Sequence, residues 1–368
     1  GWSPDGRPAF IPRDRSFRPP VGVELVRCRL WLRPAGSPDN RPRLAQQAQG
    51  CLGPVSVMLE LNSVSLLPSD FGPTVVTIGK FDGVHLGHQA LLAAATAHAK
   101  ARNLKSACVT FDRHPDALFA PERVRPALTG PTQKAVLIQQ AGIDALVTLP
   151  FDQALATLSP QEFVQQILVD GLQAAHLVVG EDFRFGAKGA GDVALLEKLG
   201  AQLGFTVQVV PSIIVDGHRV STSLIRDLLD QGDVTKAESL LGRRHTTLGA
   251  VEHGLKLGRQ LGFPTANLSR ESEGFLPLDG VYAGWLDCEG QRYPAALSVG
   301  INETIQAVPR LIEAHVLDRK DLDLYDKVVN LEYVSFLRPA IKFNGVEELI
   351  KAIGADCDKI RDILANDR

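Results

Sequence analysis

The sequence has little methionine, little cysteine and no long apolar run. One methionine occurs among 368 residues, and the five cysteines are far apart, at Cys28, Cys51, Cys108, Cys288 and Cys357. This odd number and wide spacing fit neither a disulfide framework nor a zinc site, so we expect reduced thiols. No stretch approaches the roughly 18 consecutive apolar residues of a membrane helix, and no basic-then-apolar secretory signal is present. We therefore expect a cytoplasmic protein without a membrane partner.

The chain also lacks a large excess of either positive or negative charge. Hydrophobic residues make up 45% of the chain, charged residues 22%, and the formal net charge is −3. This composition is typical of a folded globular protein and gives no reason to expect a nucleic-acid partner. The length exceeds what one hydrophobic core usually organises, so we expect two domains. The sequence leaves homo-oligomerisation open.

Residues 1–57 differ from the rest of the chain. They contain nine arginines and nine prolines but no lysine or histidine. This composition, without apolar periodicity, predicts disorder. Because the only methionine is Met58, we hypothesise that the natural start is Met58 and that residues 1–57 are a non-native extension. An Arg-rich targeting peptide is the alternative, although scattered prolines and acidic residues disfavour it.

Residues 58–241 alternate short apolar runs with longer stretches of helical periodicity. The runs that we predict to be strands are Thr74–Gly79, Ala107–Phe111, Ala145–Leu149, His176–Gly180 and Thr206–Val210. Buried runs that alternate with helices predict an α/β domain with a doubly wound parallel sheet.

Residues 242–368 have a different pattern, with strands and turns following each other closely. The predicted strands are Thr246–Glu252, Gly280–Asp287, Tyr293–Val299, Leu311–Leu317 and Val328–Phe336. A Glu289-Gly290 turn joins the second and third of these strands. We expect a small antiparallel β-barrel, with a C-terminal amphipathic helix at Val346–Leu364 packed on it.

The segment Gly79–His88 follows the first predicted strand and opens the first helix. Unpaired backbone N–H groups at this place bind phosphate in α/β sheets, and the glycines allow close approach. His85 and His88 lie three residues apart, so they share a helix face and can hold phosphoryl oxygens. Two histidines alone would be read as a helix cap and surface side chains. The glycines and the strand–turn–helix context favour the phosphate site.

This His-x-Gly-His motif resembles the nucleotidyltransferase superfamily, and the whole of Gly79–His88 resembles bacterial FAD synthetases. Three further segments resemble that family in the same order, namely Thr110–Pro115, Val179–Gly186 and Arg219–Arg226. The last departs slightly, with Ser221-Thr222-Ser223 where the family usually has Ser-Ser-Thr, and by itself would be an N-cap. The resemblance implies transfer of AMP from ATP to FMN, which yields FAD and pyrophosphate.

The resemblance also implies roles for individual residues. His85 and His88 would be catalytic, and the ATP site would comprise Gly79, Phe81, His85, His88, Asp182, Arg219, Thr222, Ser223 and Arg226. Asp182 would bind the ribose or adenine, whereas Arg219, Thr222, Ser223 and Arg226 would hold the β- and γ-phosphates. Phe111, His114 and Pro115 are the expected FMN contacts. Mg²⁺ would be held mainly by the substrate.

The segment Gly258–Leu268 resembles the signature of riboflavin kinases, with Pro264–Asn267 as its core. In an extended chain the Thr265 hydroxyl and the Asn267 carbonyl point the same way, and both are hard oxygen ligands for Mg²⁺ beside ATP. Gly258 and Gly262 suit a loop that passes close over phosphates. Without its flanks, Pro-Thr-Ala-Asn would be read as a turn.

Glu313 lies in the segment Ile312–Asp318, which also resembles riboflavin kinases. As general base it would accept the proton of the riboflavin 5′-hydroxyl during attack on the γ-phosphorus. A solvent-facing strand glutamate is the alternative.

Two departures from the kinase pattern stand out, Asn302–Ile305 where the family commonly has Asn-Pro-Thr-Phe, and Tyr325-Asp326 where it has Tyr-Gly. An aspartate is unfavourable if position 326 needs positive φ. We predict a bifunctional enzyme that uses ATP to convert riboflavin to FMN and FMN to FAD. The alternatives are a monofunctional FAD synthetase with an inactive barrel and a non-catalytic flavin-binding protein.

Overall fold

The computed structural model describes residues 57–253, 262–300, 310–319, 321–343 and 345–367. The prediction of disorder before Met58, the predicted site residue Gly258 and the departure Asn302–Ile305 therefore lie outside the described residues. Met58 is buried and packs in a small apolar cluster with Phe81 and Leu92. Within the described ranges, Cys108, Cys288 and Cys357 are buried thiols that form no disulfide.

A parallel β-sheet of six strands forms the centre of the first half of the described chain. Its strands are β1 (Leu59–Leu61), β2 (Thr74–Ile78), β3 (Lys105–Phe111), β4 (Ala145–Leu149), β5 (Ala174–Gly180) and β6 (Thr206–Val210), in the spatial order β1-β4-β3-β2-β5-β6. Every residue of β2 is buried, as expected for a central strand with helices on both faces. The predicted α/β class is confirmed, although the short edge strand β1 was not predicted.

Helices connect these strands and cover both faces of the sheet. They are α1 (Leu86–Arg102), α2 (Asp116–Phe119), α3 (Pro131–Gln140), α4 (Gln153–Thr157), α5 (Pro160–Phe163), which continues as a π-helix over Val164–Gly171, and α6 (Val193–Leu203). After β6 come a small hairpin of β7 (Ile214–Val215) and β8 (His218–Arg219), then α7 (Thr222–Asp230) and α8 (Val234–Leu241).

The second half contains a closed antiparallel barrel, as predicted. Its strands are β9 (Thr246–Glu252), β10 (Ala266–Leu268), β11 (Gly280–Cys288), β12 (Gln291–Gly300), β13 (Leu311–Val316) and β14 (Val328–Pro339), in the order β10-β13-β12-β11-β14-β9. In the predicted turn, Glu289 and Gly290 have φ values of 50° and 80°. Positive φ at both central residues matches the twist of the two strands that the turn joins.

The last helix, α9 (Val346–Ala365), packs on the outside of the barrel. Its buried residues Cys357, Ile360 and Leu364 contact a cluster that includes Ala283 on β11. In the described parts of the chain, no helix is long and apolar enough to cross a membrane.

Helices α7 and α8 pack against the barrel and share its core. Ile225 and Leu229 of α7 and Leu240 of α8 belong to the same buried cluster as Tyr282 and Leu331 of the barrel. The start of the barrel lies close to the carboxyl edge of the sheet, because Gln133 in the first turn of α3 donates to the Thr246 carbonyl in β9 over 3.1 Å.

Candidate active sites

The loop between β2 and α1 has an unusual backbone. Phe81, Gly83 and Val84 have φ values of 47°, 82° and 39°, all in the left-handed region. This conformation costs a β-branched residue such as Val84 on the order of 1–3 kcal/mol and persists only where neighbouring groups hold it. The glycine at position 79 leaves room for the buried Phe81 ring, because a Cβ there would lie 3.2 Å from that ring.

Asp82 is the centre of the contacts that hold this loop. Its carboxylate accepts a hydrogen bond of 2.8 Å from the backbone N–H of Leu128 and forms a largely buried ion pair with Arg226. The Thr222 hydroxyl donates to the Asp82 carbonyl over 3.1 Å. Thr222 and Arg226, which we predicted to hold phosphates, are thus brought against the histidine loop by contacts to Asp82.

His85 and His88 lie together, with stacked rings whose centroids are 3.7 Å apart. His85 is the N-cap of α1, and its Nδ1 accepts a hydrogen bond of 3.3 Å from the backbone N–H of His88. Gly87 leaves room for this ring, since a Cβ at position 87 would lie 3.2 Å from it. The predicted pair is therefore both a helix cap and a shared imidazole face at the helix N-terminus.

The protonation of the pair follows from its surroundings. Burial lowers the pKa of His85 to about 4 and that of His88 well below its usual value. Both rings are therefore neutral at neutral pH. Because Nδ1 of His85 accepts a hydrogen bond, its proton lies on Nε2, which makes that atom a donor. Nδ1 of His88 is buried and has no hydrogen-bond partner among the residues that the structure describes.

Three cationic side chains near the loop were not singled out from the sequence. Lys134 on α3 donates to the Lys80 carbonyl over 3.1 Å, and Arg243, between α8 and β9, donates to the carbonyls of Gly83 and Val84. Lys80 itself lies within the motif. Lys134 and Arg243 lower the pKa of His88, which shows that their charges reach the histidine pair. Neither belongs to a motif, because each comes from a distant part of the chain.

The remaining predicted residues of this half lie at the same edge of the sheet. Asp182 follows β5 and forms an exposed ion pair with Arg219, with an N–O distance of 2.5 Å. Ser223 is exposed in the first turn of α7, and the capping hydroxyl of that helix belongs to Ser221. The exposure of Asp182, Arg219 and Ser223 leaves them accessible to a ligand.

The three expected FMN contacts lie after β3. Phe111 packs edge-on against Phe151, with centroids 5.5 Å apart. His114 lies 2.6 Å from the Lys80 ammonium, measured from Nε2 to Nζ, and Pro115 caps the short helix α2. His114 is therefore next to the histidine loop, whereas the aromatic contact of Phe111 is with Phe151.

In the barrel, the predicted kinase residues come together on two neighbouring strands. Asn267 on β10 is paired with Glu313 on β13, and Ala266 and Ala314 beside them are buried in the barrel core. Because side chains alternate along a strand, Asn267 and Glu313 project from the opposite face. The Thr265 hydroxyl lies near the Glu313 carboxyl and acts to lower its pKa.

The environment of Glu313 is that of a candidate base. Burial raises the pKa of its carboxyl above the ordinary value of 4.5, although the Thr265 hydroxyl opposes the shift. A cavity lined by Thr265, Ala266, Ala314 and Val316, among others, lies on the alanine face of these strands, and neither Glu313 nor Asn267 is in its lining. Gly262 has a φ of 89°, and no atom of the described residues lies within 4 Å of its Cβ position. No cluster of three or more His, Cys, Asp or Glu side chains suited to a metal occurs in the described residues.

Asp326, where the family has glycine, lies in the turn before β14. Its φ is 60°, so this position does require the left-handed region. Its backbone N–H donates to the Val251 carbonyl over 3.0 Å, which ties the turn before β14 to β9. Aspartate enters the left-handed region more readily than most residues, so the barrel keeps this turn without glycine.

The chain is an ATP-dependent transferase in which the parallel-sheet half and the barrel half each match a different family model. The FAD synthetase family model matches residues 67–224 and the riboflavin kinase family model matches residues 241–364. The chain belongs to the family of bifunctional riboflavin kinase/FMN adenylyltransferases.

Individual relatives agree with this assignment. The bifunctional riboflavin kinase/FMN adenylyltransferase of Pseudomonas fluorescens is 40% identical over 292 residues, covering 79% of this chain and 93% of that protein. The Escherichia coli K12 protein of the same name is 35% identical, covering 77% of this chain and 90% of the relative. A Streptococcus pneumoniae crystal structure described as a macrolide-efflux protein superposes with a TM-score of 0.74 at 28% identity, covering 83% of this chain and 99% of that one.

Proposed function

We propose that the chain phosphorylates riboflavin to FMN in the barrel domain, residues 242–368, and adenylylates FMN to FAD in the parallel-sheet domain, residues 58–241. ATP is the co-substrate of both steps. The observation that carries the proposal is that each half combines a family match with an assembled set of the expected side chains. Cytoplasmic location and homo-oligomerisation stay predictions.

Adenylyl transfer requires positioning and charge stabilisation but no protein nucleophile. An oxygen of the FMN phosphate bonds to the α-phosphorus of ATP, and the bond from that phosphorus to the bridging oxygen breaks to release pyrophosphate. We assign the Nε2–H of His85 and the side chain of His88 to the phosphoryl oxygens, beside the free N–H groups at the start of α1. Arg219, Thr222, Ser223 and Arg226 would hold the β- and γ-phosphates, and Asp182 the ribose or adenine.

Phosphorylation of riboflavin requires a base. In our proposal the Glu313 carboxylate accepts the 5′-hydroxyl proton as that oxygen bonds to the γ-phosphorus, and ADP leaves. The Thr265 hydroxyl and Asn267 carbonyl are hard oxygen donors that would hold Mg²⁺, which neutralises phosphate charge when bound. Phosphate oxygens of the substrate would complete its ligands.

A chromatographic time course with purified protein, riboflavin, ATP and Mg²⁺ tests the whole proposal. We expect FMN to appear first and FAD to follow. FAD formed only when FMN is supplied would instead identify a monofunctional FAD synthetase, and no product in either assay would identify a flavin-binding protein.

Asp326 offers a test of whether the departure from glycine weakens the barrel. Asp326→Gly is expected to stabilise the protein by about 0.5–1 kcal/mol, because glycine removes the cost of a side chain in the left-handed region. We expect FMN formation to be unchanged. Thermal unfolding and the kinase assay measure the two effects.

Asp216→Gly is the matched control, since Asp216 has a φ of 50° in the hairpin between β7 and β8, far along the chain from the kinase residues. A selective change in FMN formation by Asp326→Gly would mean that the carboxylate, and not the backbone, matters at position 326.

A further inference from the structure

Arg243 connects the start of the barrel sequence to the histidine loop. It follows α8 and precedes β9, yet its guanidinium reaches back to the other domain. It donates to the Gly83 carbonyl over 2.6 Å and to the Val84 carbonyl over 3.1 Å, with a longer bond of 3.3 Å to Leu241. The two closer acceptors are the residues with left-handed backbone just before His85.

The charge of Arg243 is also unusual. Among the described residues its partners are carbonyl oxygens, and no carboxylate pairs with it. Burial lowers its pKa to about 10, so it stays charged at neutral pH. The neighbouring Arg244 differs, because it pairs with Glu332 and Asp367 within the barrel half. A buried cation without a counter-ion is costly and is favoured where an anion binds nearby.

The position of Arg243 relative to the histidine pair supplies the link to catalysis. Its charge is among the causes that lower the pKa of both His85 and His88. The side-chain amide of Gln89 on α1 joins the same two regions. It donates to the Val84 carbonyl over 2.9 Å and to the Leu241 carbonyl over 2.7 Å. The end of α8 and the strained loop are therefore joined by two side chains, of which only Arg243 is charged.

We propose that Arg243 is a positioning residue for adenylyl transfer, which holds Gly83 and Val84 so that His85 and His88 face the ATP phosphates and which places a positive charge behind them. The inference rests on the proposed function of the histidine pair. It implies that the first residues of the barrel sequence complete the adenylyltransferase site, while the kinase site does not depend on Arg243.

The experiment uses the full chain with Arg243→Ala and Arg243→Lys. We expect Arg243→Ala to lower kcat for FAD formation from FMN by about 100-fold, as small misplacements of catalytic groups do, with FMN formation from riboflavin unchanged. Added guanidinium ion should restore part of the FAD formation, which a purely structural role would not predict. Arg243→Lys keeps the charge but loses the two-pronged donor, so we expect a loss of about tenfold.

Arg244→Lys is the matched control and should leave both activities unchanged. If Arg243→Ala does not fold, Arg243→Lys decides the question by the same comparison of the two activities. The proposal would be overturned if the folded variants formed FAD at the wild-type rate. It would also be overturned if both activities fell by the same factor and the melting temperature fell with them. Wild-type protein that forms no FAD from FMN would overturn the proposed function, and with it the role of Arg243.

Discussion

Glu313→Gln is expected to abolish FMN formation while FMN adenylylation continues at the wild-type rate. A glutamine cannot accept the proton of the riboflavin 5′-hydroxyl, and loss of a general base costs about 10²- to 10⁴-fold in rate. The histidine loop belongs to the parallel-sheet half of the chain, whereas this strand pair belongs to the barrel. Separate assays of riboflavin phosphorylation and FMN adenylylation on one preparation give both rates.

Glutamine is the right replacement because it keeps the size and shape of the Glu313 side chain, and its amide oxygen can still accept from a nearby hydroxyl such as that of Thr265. The loss of activity would then report on the carboxylate and not on a broken strand pair. A fully active Gln variant would remove Glu313 from the mechanism.

The pH dependence of the wild-type kinase gives a second check on Glu313. A base must be deprotonated, so FMN formation should fall as the pH drops through the pKa of Glu313. Because burial raises that pKa above 4.5, the acidic limb of kcat/KM should lie above the range of an exposed glutamate. An acidic limb at or below 4.5 would show that another group limits the rate.

The periodic elements of both domains could be predicted because their signals are local. Thr206–Val210 and Thr246–Glu252 were predicted with the bounds that the structure has, and the Glu289-Gly290 turn was found from its two residues alone. Four short strands were missed, namely Leu59–Leu61, Ile214–Val215, His218–Arg219 and Ala266–Leu268. Each has two or three residues, too few for an alternating pattern, and exists because a neighbouring strand provides hydrogen-bond partners.

Motif positions could be predicted, but not the contacts made between motifs. His85 and His88 come together because they are three residues apart on one helix. Nothing in the sequence indicates that Arg226 pairs with Asp82, or that Arg243 reaches back to Gly83, since these pairs meet only once α7, α8 and the loop are packed. The phosphate-binding roles of these residues stay predictions.

Backbone arguments from sequence depend on which residue tolerates a conformation. The concern that position 326 needs positive φ was correct, but Asp326 adopts it. Val84 is the opposite case, because a β-branched residue predicts a negative φ and the structure has a φ of 39° at this position. Its strain is compensated by hydrogen bonds from distant residues, which a local pattern does not show.

His85→Asn is expected to lower FAD formation from FMN by about 10²- to 10³-fold, the loss typical of removing one donor to a developing negative charge. Asparagine is among the best N-cap residues, so its side-chain oxygen can accept the N–H of His88 as Nδ1 of His85 does. The variant therefore keeps the helix start and removes the imidazole Nε2–H. The measurements are adenylylation kinetics, riboflavin phosphorylation and thermal unfolding.

His85→Ala separates the two roles of this histidine, because it removes the cap as well as the donor. We expect it to cost about 1 kcal/mol of stability beyond the Asn variant, with a similar loss of FAD formation. If His85→Asn kept wild-type adenylylation and only His85→Ala lost it, His85 would be a helix cap alone. A fall in FAD formation in both, with riboflavin phosphorylation intact, would place the Nε2–H of His85 on the reacting phosphates.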